Sequence, residues 1–74
     1  MVLTVNLLRN NRERLGLTQE KLAEKTGVSR QTIISIESGR YVPSLELALK
    51  FGQVFKCKVE DLFSIREVKG DRKV

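Results

Sequence analysis

The chain has 74 residues, enough for one domain, with 14 basic and nine acidic side chains and a net charge of +5. Zero histidine and one cysteine exclude Ser-His and Cys-His nucleophile pairs, an internal disulfide, and a thiolate or imidazole zinc site. No apolar run approaches the roughly 18 residues of a membrane span, and the start Met-Val-Leu-Thr-Val-Asn lacks the features of a signal peptide. The expectation is a small basic binding module in the cytoplasm, without membrane, metal or cofactor, and not an enzyme.

Val2, Leu3, Thr4 and Val5 are β-favouring. A first helix is predicted over about 6–15, ended by Gly16. Thr18 is placed to cap a second helix over 19–26, with Glu20 near the positive end of its dipole. Gly27 turns the chain, and Ser29 caps a third helix over 30–38. After the loop Gly39-Arg40-Tyr41-Val42-Pro43, Ser44 caps a fourth helix over 45–55. Leu45, Ala48, Leu49, Gly52 and Phe55 form one apolar stripe of that helix, and Leu47, Phe51 and Val54 form another. A helix apolar on most sides is expected as the buried spine of a bundle.

A short fifth helix is read at 59–63, with Lys58 as a poor cap. Phe63, Ile65 and Val68 again favour β structure. Two short strands from the chain ends, pairing with each other or across a dimer, account for these segments. The alternative is a solvated tail, since Gly70-Asp71-Arg72-Lys73 is polar. Cys57 reads as a small apolar filler.

The third helix carries the functional signal. At about 100° per residue, Arg30, Ile34, Ser38, Gln31 and Ser35 share an arc of about 140°, with Ile33 and Ile36 opposite. One side is thus an anchor, and the other offers a guanidinium, an amide, two hydroxyls and an aliphatic group. Arginine donates two bonds to guanine, glutamine bonds adenine in both directions, and Ile34 suits a thymine methyl. The second helix instead carries Glu20, Lys21, Glu24 and Lys25 outward, as an ordinary solvated face does. Leu22 and the small Ala23 turn inward and let another helix cross closely. Thr18 and Gln19 at its start suit a phosphate. The tight link Gly27-Val28-Ser29 has the form of a helix-turn-helix.

Charge is distributed to match. Residues 1–40 carry seven basic and four acidic groups, residues 41–62 three and three, and residues 63–74 four and two. The half with the third helix is the more positive, as a surface facing DNA requires.

From Leu15 to Leu49 the chain reads LGLTQEKLAEKTGVSRQTIISIESGRYVPSLELAL. It resembles the phage-repressor/Cro-type (xenobiotic-response-element) helix-turn-helix family at Leu17, Gln19, Leu22, Ala23, Gly27, Val28, Ser29, Ile33, Ile36, Glu37, Gly39 and Pro43. Within it the chain is similar to short stand-alone regulators of the cytolysin-repressor kind. The resemblance covers about residues 6–63. It implies an all-α, five-helix bundle of the lambda-repressor-like type, extended by an antiparallel β pair from the chain ends. It divides the chain into a DNA-binding domain over 1–63 and a dimerisation strand or tail over 64–74.

The implied function is a sequence-specific transcriptional regulator, a repressor that binds double-stranded DNA as a homodimer. The alternative is an antitoxin-like or anti-regulator module that holds another protein. Position by position, the resemblance implies base contacts from Arg30, Gln31, Ile34 and Ser35. It implies backbone contacts from Thr18, Gln19, Ser29, Ser38, Arg40 and Tyr41, with Gln19 also bracing the recognition helix. Arg12 and Glu37 match a structural ion pair between the first and third helices. Leu62, Phe63 and Ile65 are the dimer candidates. Ile34 stands where relatives often have a polar residue, and Lys58 replaces a serine-like cap.

Overall fold

Capping residues and left-handed positions set the element boundaries in the structure, a computed structural model that describes residues 2–67 and the side chains of 6–65. Strand β1 spans Val2–Asn6, and helices α1 to α4 span Leu8–Arg14, Gln19–Thr26, Arg30–Glu37 and Leu45–Phe55. A single 3-10 turn follows at Val59–Asp61, and strand β2 at Phe63–Glu67 completes the order. Val68 and the rest of the expected tail, 68–74, lie outside the described residues.

The three predicted caps all form. Thr18 Oγ1 accepts the Lys21 amide at 3.0 Å, Ser29 Oγ that of Thr32 at 3.1 Å, and Ser44 Oγ that of Leu47 at 3.2 Å. Each satisfies one of the donors that a helix start leaves without a partner. Gly27 then ends α2 at φ 77°, a conformation that costs a glycine little. This permits the sharp turn into α3.

The fifth helix is corrected to one 3-10 turn. Lys58 supplies no side-chain cap; instead Asp61 Oδ2 accepts the Lys58 amide at 3.0 Å and closes a short turn. Phe63 is drawn into β2, which removes the residue that would have continued the helix. The strands pair antiparallel within the one chain, from Val2 opposite Glu67 to Asn6 opposite Phe63.

Leu8, Leu22, Ala23, Ile33, Ile36, Leu47, Phe51, Phe55 and Leu62 form the core. Phe51 is fully buried at its centre, with the Phe63 ring 6.2 Å away. Helix α4 is less enclosed than its composition predicts. Leu47, Ala48, Phe51, Gly52 and Phe55 face inward, but Leu45 is 73% and Leu49 51% exposed. The bundle covers one side of α4, and among the described residues Leu45 and Leu49 of the first stripe stay largely uncovered.

Candidate nucleic-acid interface

Helix α3 is held from beneath and open above. Ile33 and Ile36 are fully buried against the core, which fixes the rotation of the helix. Arg30, Gln31 and Ser38 are then exposed, while Ile34 and Ser35 are half-buried along the same outer face. Eight residues make a helix about 12 Å long, a length that a major groove accommodates. The Ser29 hydroxyl is committed at the helix start, to the Thr32 amide and to the Thr32 hydroxyl at 3.0 Å.

The far end of α3 is wrapped tightly. The Ser35 carbonyl accepts the amides of Arg40 at 3.0 Å and Tyr41 at 3.2 Å, and also the Ser38 hydroxyl at 3.0 Å. The Ile36 carbonyl accepts the Gly39 amide at 3.0 Å. Ser38, Arg40 and Tyr41 are thereby carried, exposed, just beyond the helix end. Among the described residues, neither Arg30 nor Arg40 is joined to a carboxylate by an ion pair.

At the other end, the starts of α2 and α3 meet α1 around one depression lined by Arg9, Arg12, Thr18, Gln19, Glu20 and Arg30. Arg12 lies at its base. Its Nε donates to Glu37 Oε2 at 2.6 Å, its Nη2 to Glu37 Oε1 at 3.2 Å and its Nη1 to the Leu17 carbonyl at 2.8 Å. The hydrogen bond that Arg12 donates to Glu37 pushes the Arg12 pKa up against the opposing effect of burial, so the guanidinium stays charged. Gln19 Nε2 donates to the same Glu37 carboxylate at 3.2 Å. Glu37 thus ties the start of α2, the body of α1 and the end of α3 together. The Gln19 amide has a second hydrogen to offer outward.

Arg9 is the residue that sequence reasoning missed here. Its position three residues before Arg12 is the available signal, because that spacing puts both on one side of α1. Arg9 Nε also donates to Glu13 at 3.1 Å on the exposed side of the helix.

The dimer candidates separate. Leu62 is fully buried in the core of its own protomer, so it has no surface to offer a second copy, and its expected place at an interface is corrected. Its role is internal: its carbonyl accepts the Leu7 amide at 2.7 Å. Phe63 is half-buried against Phe51, and Ile65 is 74% exposed. Ile65 lies on an apolar groove with Val42, Pro43, Leu45 and Phe63. Val42, Leu45 and Leu49, all exposed, were missed because the loop and the first stripe of α4 read as local structure and core.

Cys57 is half-buried, and burial foremost, with the Asp61 charge second, raises its pKa. That environment disfavours the reactive thiolate. Among the described residues no helix is long and apolar enough to cross a membrane, and no group of three metal-ligating side chains occurs.

Comparison with known proteins agrees with this geometry. The helix-turn-helix family model matches residues 8–62. The MJ0272 protein of Methanocaldococcus jannaschii, described as an uncharacterized HTH-type transcriptional regulator, is 57% identical over 58 residues, covering 78% of this chain and 88% of that one. YgzD of Bacillus subtilis carries the same description and is 52% identical over 62 residues, 84% of this chain and 94% of that one. Among solved structures, the clp gene regulator ClgR from Corynebacterium glutamicum aligns with a TM-score of 0.69 at 33% identity. The alignment covers 73% of this chain and 57% of ClgR.

Proposed function

The chain belongs to the helix-turn-helix family of transcriptional regulators, and on that premise we propose that it is a cytoplasmic, sequence-specific repressor acting as a homodimer. Two copies of α3 enter successive major grooves about 34 Å apart and read a pseudo-palindromic operator. Occupancy of the operator excludes polymerase sterically, without an enzymatic step or a cofactor.

The observation that carries this reading is the outer face of α3, where Arg30, Gln31 and Ser38 are exposed on a helix whose opposite side is fully buried. Arg30 and Gln31 read purine edges in the major groove, Ile34 meets a thymine methyl, and Ser35 completes the base contacts. Thr18, Gln19, Ser29, Ser38, Arg40 and Tyr41 hold the phosphate backbone on either side, joined by Arg9. Such contacts position the protein, while base edges specify the site.

Residues 1–63 act as the DNA-reading unit and 64–74 as part of the dimerisation element. Support for the second copy comes from the exposed apolar side chains Val42, Leu45 and Ile65 on one groove. A contiguous patch of this kind is uncommon on a lone domain. A domain this small also gains from association, since its own core contributes only about 3–5 kcal/mol.

The test is selection of the purified protein on a randomised duplex pool, followed by sequencing. Enrichment of an inverted repeat with half-site centres one helical turn apart is expected. A folded protein that enriches nothing overturns the reading. The same apolar groove then favours the second reading, an antitoxin-like module whose partner is another protein, recognised by tight binding that salt does not weaken.

A further inference from the structure

Asn6 closes β1 and stands two residues before α1, where Leu7 offers the helix no side-chain cap. Its amide is used at both ends. Oδ1 accepts the Leu8 amide at 2.9 Å, and so caps α1 from one position further out. Nδ2 donates to the Ile36 carbonyl at 2.6 Å, thirty residues away in the sequence. Next to it, the Leu7 amide donates to the Leu62 carbonyl at 2.7 Å. One half-buried side chain therefore sits where the sheet, the start of α1 and the last turn of α3 converge.

Ile36 is a consequential place to be held. It belongs to the final turn of α3, whose carbonyls lack helical partners. The neighbouring Ser35 carbonyl carries the amides of Arg40 and Tyr41, and the Ile36 carbonyl itself carries that of Gly39. Whatever fixes Ile36 fixes the pitch of the turn that presents Ile34, Ser35 and Ser38. It also fixes the path of the segment that presents Arg40 and Tyr41. The Asn6 bond is the one side-chain hydrogen bond from a strand to α3 among the described residues.

We propose that Asn6 is a positioning residue for DNA reading, which ties the two-stranded sheet to the last turn of α3 and so sets the aim of the base-facing turn and the loop beyond it. The inference rests on the reading of α3 as the helix that enters the groove. Asn6 itself is not placed in contact with DNA.

Capping and positioning separate chemically. Asn6→Asp keeps an acceptor for the Leu8 amide, and a carboxylate at a helix start is favourable, but it has no hydrogen to give Ile36. Asn6→Ser keeps a short uncharged acceptor that does not reach Ile36, and serves if the aspartate prevents folding. If Asn6 only caps α1, both variants behave as wild type.

The experiment uses the full chain and the duplex that wild type selects from a random pool. Expected for Asn6→Asp and Asn6→Ser is a loss of about five- to tenfold in affinity for the selected duplex, the effect of one lost hydrogen bond, with binding to random duplex unchanged. Faster amide exchange at Gly39, Arg40 and Tyr41 in the free protein is expected alongside. Equal losses on both duplexes, unchanged affinities, or wild-type exchange at these three amides overturns the role of Asn6. If wild type selects no sequence, the reading of α3 fails and the inference falls with it, an outcome distinct from a selective wild type with equally selective variants.

Discussion

Glu37 grips Arg12 across 25 residues of sequence, with Nε to Oε2 at 2.6 Å and Nη2 to Oε1 at 3.2 Å. Both side chains are nearly out of solvent, Arg12 at 11% and Glu37 at 5% exposure. The fork of the guanidinium matches the carboxylate in two parallel bonds, the geometry in which arginine pairs most strongly. The pair lies under the site, and its function is to hold α1 and α3 in register with the start of α2.

Glu37→Ala leaves a buried guanidinium with one hydrogen bond, to the Leu17 carbonyl, and the exposed Glu13 carboxylate 3.9 Å from Nη2. Removing one partner of such a pair costs about 3–5 kcal/mol, comparable with the whole stability of a domain this size. Urea denaturation monitored by circular dichroism is expected to show a largely unfolded variant at room temperature. A midpoint close to wild type would remove the pair from the structural framework.

Gln31→Ala should cost about 1–3 kcal/mol on the selected operator and relax the preference at one base position. Titration of the variant against all four bases at that position reads this directly. Equal losses on specific and random duplex would contradict base reading by Gln31.

Arg40 lies beyond the end of α3, exposed, on a loop hung from the Ser35 carbonyl. In its proposed role as a phosphate contact it is indifferent to sequence. Arg40→Ala is therefore expected to weaken binding to all duplexes alike and to flatten the log–log salt dependence by about one. An unchanged slope would take Arg40 off the backbone.

Leu45→Glu places a charge on a side chain that is 73% exposed in the protomer. Substitution at such a site usually changes protomer stability by no more than about 0.5 kcal/mol, whereas a charge buried against a second copy is strongly unfavourable. Sedimentation equilibrium at micromolar concentration should give twice the 8.4 kDa chain mass for wild type and the single chain for the variant. A wild type that sediments as a single chain, or a variant that stays paired, would rule out this face.

Gly52 sits where a built Cβ would lie 2.9 Å from the Cys57 carbonyl oxygen. Alanine is preferred to glycine in a helix interior by about 1 kcal/mol, but forcing backbone apart in a packed core costs about 1–3 kcal/mol. Gly52→Ala is expected to lose about 1 kcal/mol net, a fall of about 4–8 °C in melting temperature for this size of domain. A raised melting temperature would show that the Cys57 turn moves aside without strain.

The middle of the chain was legible because its signals are local. Thr18, Ser29 and Ser44 each precede a helix that begins where the capping hydroxyl predicts. Gly27 ends α2 where a left-handed residue is needed. Ile33 and Ile36 are buried opposite Arg30 and Gln31, as the spacing requires. The segment after α4 was less legible, since Val59–Phe63 suits a helix by composition but Asp61 closes a 3-10 turn and β1 captures Phe63. Leu62 and Leu45 show the same limit in opposite directions. Leu62 was a dimer candidate and is fully buried, while Leu45 was expected in the buried spine and is largely exposed.

Taken alone, the amino-acid sequence determined the order of α2, α3 and α4, both ends of α2 and α4 and the start of α3, the polar outer face of α3, and the exclusion of histidine-dependent chemistry. Capping, helical periodicity and residue inventory act over a few positions or none, so one dimension suffices to read them. Tertiary structure decided which apolar side chains remain exposed, how Glu37 gathers Arg12 and Gln19, and that Asn6 reaches Ile36. These depend on how separate elements pack. A leucine is buried only if another element lies over it, and a hydrogen bond across thirty residues exists only once the chain has brought its two ends of the bond together.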